Sequence, residues 1–298
     1  MTEGLSIAAR NARILGWMLL ANLALSAAAV APMLRPMDDT TARQADAGRL
    51  LSAFDMSWWV DLTTSRAEAV AATLASISAA AFLSVLAGCW FAGGALQAYS
   101  DTLDGLPMDR FMTSCRRWFG RFVWLLALTL PLYWLVHRMV NTWLGSAMNG
   151  WLDAVEDERT GLAMMWGRSL LFLILFDLVT LAGDYARAHA ILTADRSMLA
   201  ALAAGLRFVL AHPVRVLLLE SQVFLMQAAA LVLFLPVDAL LARGSPAGVI
   251  AGFLAGQLFV VARLYLRESA RAGHLSLYRE MAGLRPLPAP AERTTAPA

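Results

Sequence analysis

Lysine is absent from this chain of 298 residues, cysteine occurs twice, histidine four times, and only 15% of the residues are charged. Each shortage excludes something. A soluble domain of this length would carry about 25% charged residues, so no sizeable soluble domain is expected, and a nucleotide-binding domain does not fit. Cys89 lies in an apolar run and Cys115 in a connection. On different elements they do not suit a disulfide, and without histidine at ligand spacing they make no metal site. There is no His-Glu-x-x-His, and no serine or cysteine sits in a nucleophile's motif, so an enzyme reading lacks a signature. No cofactor and no nucleic-acid partner is expected. All 24 basic residues are arginine, which fits a GC-rich genome as much as any physical need.

What the chain has instead is apolar length. Six stretches alternate with Arg-rich connections: Ile14–Leu34, Ala69–Ala92, Phe122–Thr142, Trp166–Arg187, Val214–Leu241 and Ala247–Leu266. Each is long enough to cross a bilayer, because roughly 20 apolar residues span the ~30 Å hydrocarbon core. The expected fold is an all-α polytopic membrane bundle of six transmembrane helices. It occupies residues 1–283, and a Pro- and Ala-rich tail over 284–298 is expected to be disordered. Ala29-Val30-Ala31 has the form of a signal-cleavage site, but an apolar stretch of about 20 residues exceeds the usual 7–15, so the first stretch is read as a span.

Sixteen arginines fall on one side of these spans: Arg10 and Arg13, then Arg110, Arg116, Arg117 and Arg121, then Arg187, Arg196, Arg207 and Arg215, then the six from Arg263 to Arg293. The other eight fall on the opposite side. The excess of arginine marks the cytoplasmic side and puts both termini there. An even number of spans requires the same.

The connections share a style. Asp109–Arg121 interleaves arginine with aromatic residues, and Met198–Pro213 leads into the fifth span with Pro213 at the bend. Leu5–Arg13 is a shorter version. All three read as short helices on the cytoplasmic surface, with guanidiniums among lipid phosphates. Gly93-Gly94 and Gly183-Asp184 read as the ends of the second and fourth spans. A shift of 90 residues superposes Gly93 on Gly183, Arg117 on Arg207 and Trp118 on Phe208. This suggests three repeats, each a lead-in helix plus a two-span hairpin; a common need for basic, aromatic lead-ins explains it equally well. On the outer side, Ala42–Phe54 is amphipathic and Trp58-Trp59 suits headgroup depth. The acids Asp153, Glu156, Asp157 and Glu158 lack Ca²⁺-loop spacing and read as solvated.

Polar groups within lipid are the best pointers to function. Asp177 sits mid-span, where a carboxylate costs about 2.5–3.5 kcal/mol. It is expected to face the bundle interior near donors such as Asn22, Gln222, Gln227 or Gln257. One reading is a proton- or ligand-binding carboxylate at a central cavity; the plainer one is a neutral Asp that hydrogen-bonds neighbouring helices. Asp184, Arg187, Glu220 and Arg263 cluster at one end and are expected to close a charge network. Small residues recur every four positions at Ala72, Ser76, Ala80, Ser84, Gly88 and Ala92, and at Gly248, Gly252 and Gly256. Such stripes let helices approach closely.

At Phe54-Asp55-Met56-Ser57-Trp58, Asp184-Tyr185-Ala186-Arg187 and Arg207-Phe208, the chain resembles a group of six-span bacterial integral membrane proteins with no known activity. The resemblance implies a bacterial inner membrane. The functions left open are a non-catalytic scaffold or accessory subunit of an envelope or transport complex, and a small transporter or lipid-handling permease around Asp177. The partners are membrane lipids and other membrane proteins. The arginine asymmetry predicts that alkaline phosphatase fused within 35–68 is active and that a C-terminal fusion is inactive. The reverse pattern would invert the topology.

Overall fold

The computed structural model describes residues 2–41, 56–101, 107–152, 157–241 and 245–284, and every element among them is helical. In chain order they are α1 (Thr2–Arg10), α2 (Ala12–Thr41), α3 (Met56–Ser65), α4 (Ala67–Asp101), α5 (Met108–His137), a π-helical segment (Arg138–Leu144), α6 (Gly145–Leu152), α7 (Glu158–Thr193), α8 (Met198–Ala211), α9 (Pro213–Leu240) and α10 (Pro246–Met281). Six stretches are long and apolar enough to cross a membrane: one each on α2, α4, α7, α9 and α10, and one running from α5 through α6. The protein is therefore an all-α polytopic membrane protein. The expected helix over 42–54, the acids Asp153 and Glu156, and the tail from 285 lie outside the described residues.

By contacts the chain divides into two compact units, Met1–Ala92 with Ser221–Ala270, and Gly93–Glu220 with Arg271–Ala298. In the first unit, α1 and α2 meet at Asn11, whose side-chain amide donates to the Ile7 carbonyl at 2.9 Å. The Tyr265 hydroxyl donates to the Leu5 carbonyl at 2.9 Å and ties α10 to α1. Phe234 of α9 stacks on Phe259 of α10, with centroids 4.6 Å apart.

The second unit holds most of the buried core, and its closest contacts are made at glycines. A Cβ added to Gly94 on α4 would lie 2.6 Å from the Phe111 ring, and one on Gly93 would lie 2.7 Å from the Trp118 Cβ. Trp118 Nε1–H also donates to Gln97 Oε1 at 3.0 Å. The segment Asp109–Arg121 is therefore not a separate surface helix. It is the first part of α5, continuous with the third span, and Phe111, Cys115, Trp118 and Phe122 are buried. The aromatic rings that suggested a membrane-surface face instead fill a notch left by two glycines. Arginines 116 and 117 point away and are exposed. Gly93-Gly94 and Gly183-Asp184 do not end their spans either; α4 and α7 continue to Asp101 and Thr193.

The α7–α8 crossing uses the same device with the partners exchanged. A Cβ on Gly205 of α8 would lie 2.6 Å from the Ala186 nitrogen of α7. The shift of 90 residues carries Cys115, at the first crossing, onto Gly205 at the second. Ser197 caps α8, accepting from the Ala200 amide at 3.3 Å. Before it, Ala194 ends α7 at φ 55°, a left-handed conformation that favours glycine. Helices α5 and α7 pair antiparallel. The Thr180 hydroxyl donates to the Phe176 carbonyl, so Tyr133 donates its own hydroxyl to Thr180 at 3.0 Å. Tyr133 also packs on Phe176, and Thr129 lies opposite Gly183.

The three even-numbered spans share a burial register. Ala92, Ala95 and Ala98 are buried, as are Ala182, Tyr185 and Ala188 on α7 and Leu266, Ser269 and Ala272 on α10. Each set advances by three residues, so each lines one helical face. The other small-residue stripes behave differently. Ala72 and Ser84 are exposed, and a Cβ on Gly252 or Gly256 would meet nothing within 4 Å.

The contrast between glycines sets a prediction. Gly205→Ala should cost about 1–3 kcal/mol, because the added methyl meets backbone that cannot yield. Gly252→Ala should change stability by less than about 0.5 kcal/mol. Unfolding in mixed micelles of increasing SDS fraction measures both, and equal losses would contradict the assignment of the crossing.

Candidate functional site

The second unit gathers titratable side chains on α7, α9 and the end of α10. Tyr185 and His189 lie four residues apart on α7, and His274 and Tyr278 lie four apart on α10, so each pair shares a helical face. The helices run parallel here, and the pairs meet as two rungs. The Tyr185 and His274 rings lie 5.1 Å apart, and His189 Nδ1 shares a 2.8 Å hydrogen bond with the Tyr278 hydroxyl. Phe208 of α8 packs against both tyrosines, each at 4.7 Å. α9 enters through Glu220, which accepts from His274 Nε2 at 2.5 Å. Gly273 lets α10 approach Leu219 beside it.

Asp184 and Arg187 form an ion pair one turn apart on α7. Asp177, two turns before Asp184 on the same face, lies within electrostatic reach of Glu220, Asp184 and His274. Among the described residues named here, the cluster therefore holds three carboxylates against one guanidinium and two imidazoles. Three of its polar atoms are buried without a hydrogen-bond partner among the described residues: the Tyr185 hydroxyl, His274 Nδ1 and Arg187 Nε. Tyr185 is 0% exposed and His274 5% exposed. Unmade hydrogen bonds at this depth are uncommon and call for an explanation.

The structure redistributes the residues singled out in the sequence. Asp177 is exposed on α7, and its carboxyl makes no hydrogen bond among the described residues, where an inward, hydrogen-bonded position was expected. Asn22, Gln222, Gln227 and Gln257 belong to the first unit. Asn22 and Gln222 are exposed there, and the Gln257 Oε1 is buried and unpartnered. Of the expected charge network, Asp184 and Arg187 are paired, but Glu220 takes His274 as its partner. Arg263 is exposed and lies over the Phe259 ring in the first unit. Its place is filled by a histidine because α10 continues about four turns beyond the apolar stretch. Cys89 and Cys115 are buried free thiols. No group of three or more His, Cys, Asp or Glu among the described residues is arranged to hold a metal ion. His274, Tyr185, His189 and Tyr278 were missed. The signal available for them was the Tyr/His pair at i, i+4 on both helices.

Fold and site together define a polytopic membrane protein with a polar cluster among apolar helices. No protein family, curated protein or solved structure matches the chain.

At the edge of the cluster, outside the spans, Asp195 lies 3.7 Å from His189 and accepts the Ser197 amide at 3.0 Å. That amide, the Arg196 amide and His189 hold the Asp195 carboxyl below its ordinary range. Its contribution is complete above the unfolded value, about pH 4, and is lost as the pH falls through the lowered folded value. Hydrogen exchange at the first turn of α8 should accelerate on acidification through that range. Asp195→Asn should remove the acid-dependent acceleration, and an unchanged pH profile in the variant would refute the assignment.

Proposed function

We propose that the chain is a non-catalytic protein of a bacterial inner membrane with both termini cytoplasmic. It serves as a scaffold or accessory subunit of an envelope or transport complex. The observation that carries this reading is the openness of the spans. In the most apolar stretch of each, no more than 17% of the residues are buried within the chain, and for α4 and α7 the share is 0%. Gly16, Gly167, Gly252 and Gly256 each face open space. In lipid, helices associate by van der Waals packing at such small residues, so these faces suit the helices of another membrane protein.

A photo-crosslinking residue at Val249 or Phe253, both exposed beside the glycines, tests it. In cells, each should give a discrete adduct with a membrane protein of an envelope or transport complex. Gly252→Leu should reduce the adduct by roughly tenfold, as expected for loss of about 1.4 kcal/mol of association, without lowering the amount of protein. Adducts to lipid alone would count against the scaffold.

A second reading, a small transporter or lipid-handling permease with its polar site around Asp177, is favoured by a different observation. Asp177 and His274 are each within electrostatic reach of the other and of Asp184 and Glu220, in one unit. Ionisable residues inside spanning helices commonly mark ion or proton pathways.

A further inference from the structure

We propose that the polar cluster of the second unit is a proton-binding relay. It runs from the C-terminal end of α7 to Asp177, with His274 as its central carrier. The inference rests on the transporter reading and names the ion that the site takes.

Connectivity supports it. Asp195 lies beside His189, His189 is hydrogen-bonded to Tyr278, Tyr278 stands one turn from His274 on α10, and His274 donates to Glu220. Asp177 lies on the same face of α7 as Asp184, two turns earlier. From His189 to Asp177 is twelve residues of α7, about 18 Å along the helix axis. That distance carries the series from the end of the helix into the middle of the apolar stretch. A purely structural His–Glu pair would not need Asp177, which makes no hydrogen bond among the described residues.

The unpartnered atoms support it independently. With Nε2–H donated to Glu220, neutral His274 presents a bare lone pair at Nδ1, and this atom is buried without a partner. The Tyr185 hydroxyl, whose ring touches His274, is also buried and unpartnered. A water would complete both, and His274 Nδ1 can instead take a proton. A larger ligand is disfavoured because the surrounding rings already touch one another.

The groups around His274 set the balance of charge. From α7 come Asp177, Asp184 and Tyr185, and from α9 comes Glu220. On α10 itself Arg271 and Tyr278 lie one turn to either side, Arg187 follows Tyr185 on α7, and α8 presents the Phe208 ring to the two tyrosines. In the forward step a water donates a proton to His274 Nδ1, leaving hydroxide that the bulk reprotonates. The ring then carries two N–H bonds. It releases the Nε2 proton to Glu220, leaving a neutral imidazole of the other tautomer beside a neutral carboxyl. Glu220 passes that proton through a water to the Asp177 carboxylate. One proton enters at Nδ1 and one leaves from Nε2.

The test is ¹⁵N NMR of the full chain with labelled histidine, in detergent micelles or lipid nanodiscs. Four histidines give a resolvable set, and His274→Gln assigns the signal. Over the pH range in which the protein stays folded, His274 should change charge, with Nδ1 as the titrating nitrogen. Asp177→Asn, at an exposed position without a hydrogen bond, should leave the fold intact and displace the His274 midpoint by at least about half a pH unit. Glu220→Gln should displace it too. A His274 signal that stays in one state across this range overturns the relay, as does a midpoint that ignores Asp177→Asn. If His274 titrates as described while reconstituted vesicles show no proton-linked uptake of any substrate, the proton site stands and the transporter reading falls.

Discussion

How closely two helices can approach in lipid governs everything else in this structure. Water supplies no drive to pair apolar helices within a bilayer, so association rests on contact. In the second unit that contact is concentrated where a glycine faces a side chain or backbone that no larger residue would admit. Gly94 receives Phe111, and Gly205 receives the backbone of Ala186. These two crossings bring α5 against α4 and α8 against α7. The α7–α8 contact places Phe208 against Tyr185, and with it the aromatic wall of the polar cluster.

The cluster then depends on that closeness. His274 reaches Glu220 because Gly273 lets α10 approach Leu219 of α9. Burying a carboxylate and an imidazole together is favourable only with good geometry and satisfied hydrogen bonds. Here one end of the pair is satisfied and the other, Nδ1, is not. A structural clamp would be expected to satisfy both. The same region therefore combines the tightest packing with the least complete hydrogen bonding.

The spans were legible because hydropathy is additive along a stretch and needs no knowledge of neighbours. Their ends were not. Arg267-Glu268 looks like the end of a span because its charges lower the local hydropathy, yet α10 runs on to Met281, with one face buried at Ser269, Ala272 and Leu275. Similarly, Asp109–Arg121 shows arginine and aromatics at helical spacing, a pattern shared by a membrane-surface helix and a buried amphipathic one. What decides between them is Gly93-Gly94, more than a dozen residues away, where the rings fit. Ser197 was missed as a cap although a serine before an apolar helix is a local signal.

Of the site, the carboxylates were legible and their partners were not. An Asp in an apolar run stands out by its cost, whereas a histidine about two turns beyond the apolar stretch resembles any surface residue until the helix is extended past it. The paired Tyr/His spacing on α7 and α10 becomes meaningful only once those helices are known to run side by side in the same direction. The cost that identified Asp177 is not met by a hydrogen bond: among the described residues its carboxyl sits on a helix surface two turns before the Asp184–Arg187 pair and has no hydrogen-bond partner.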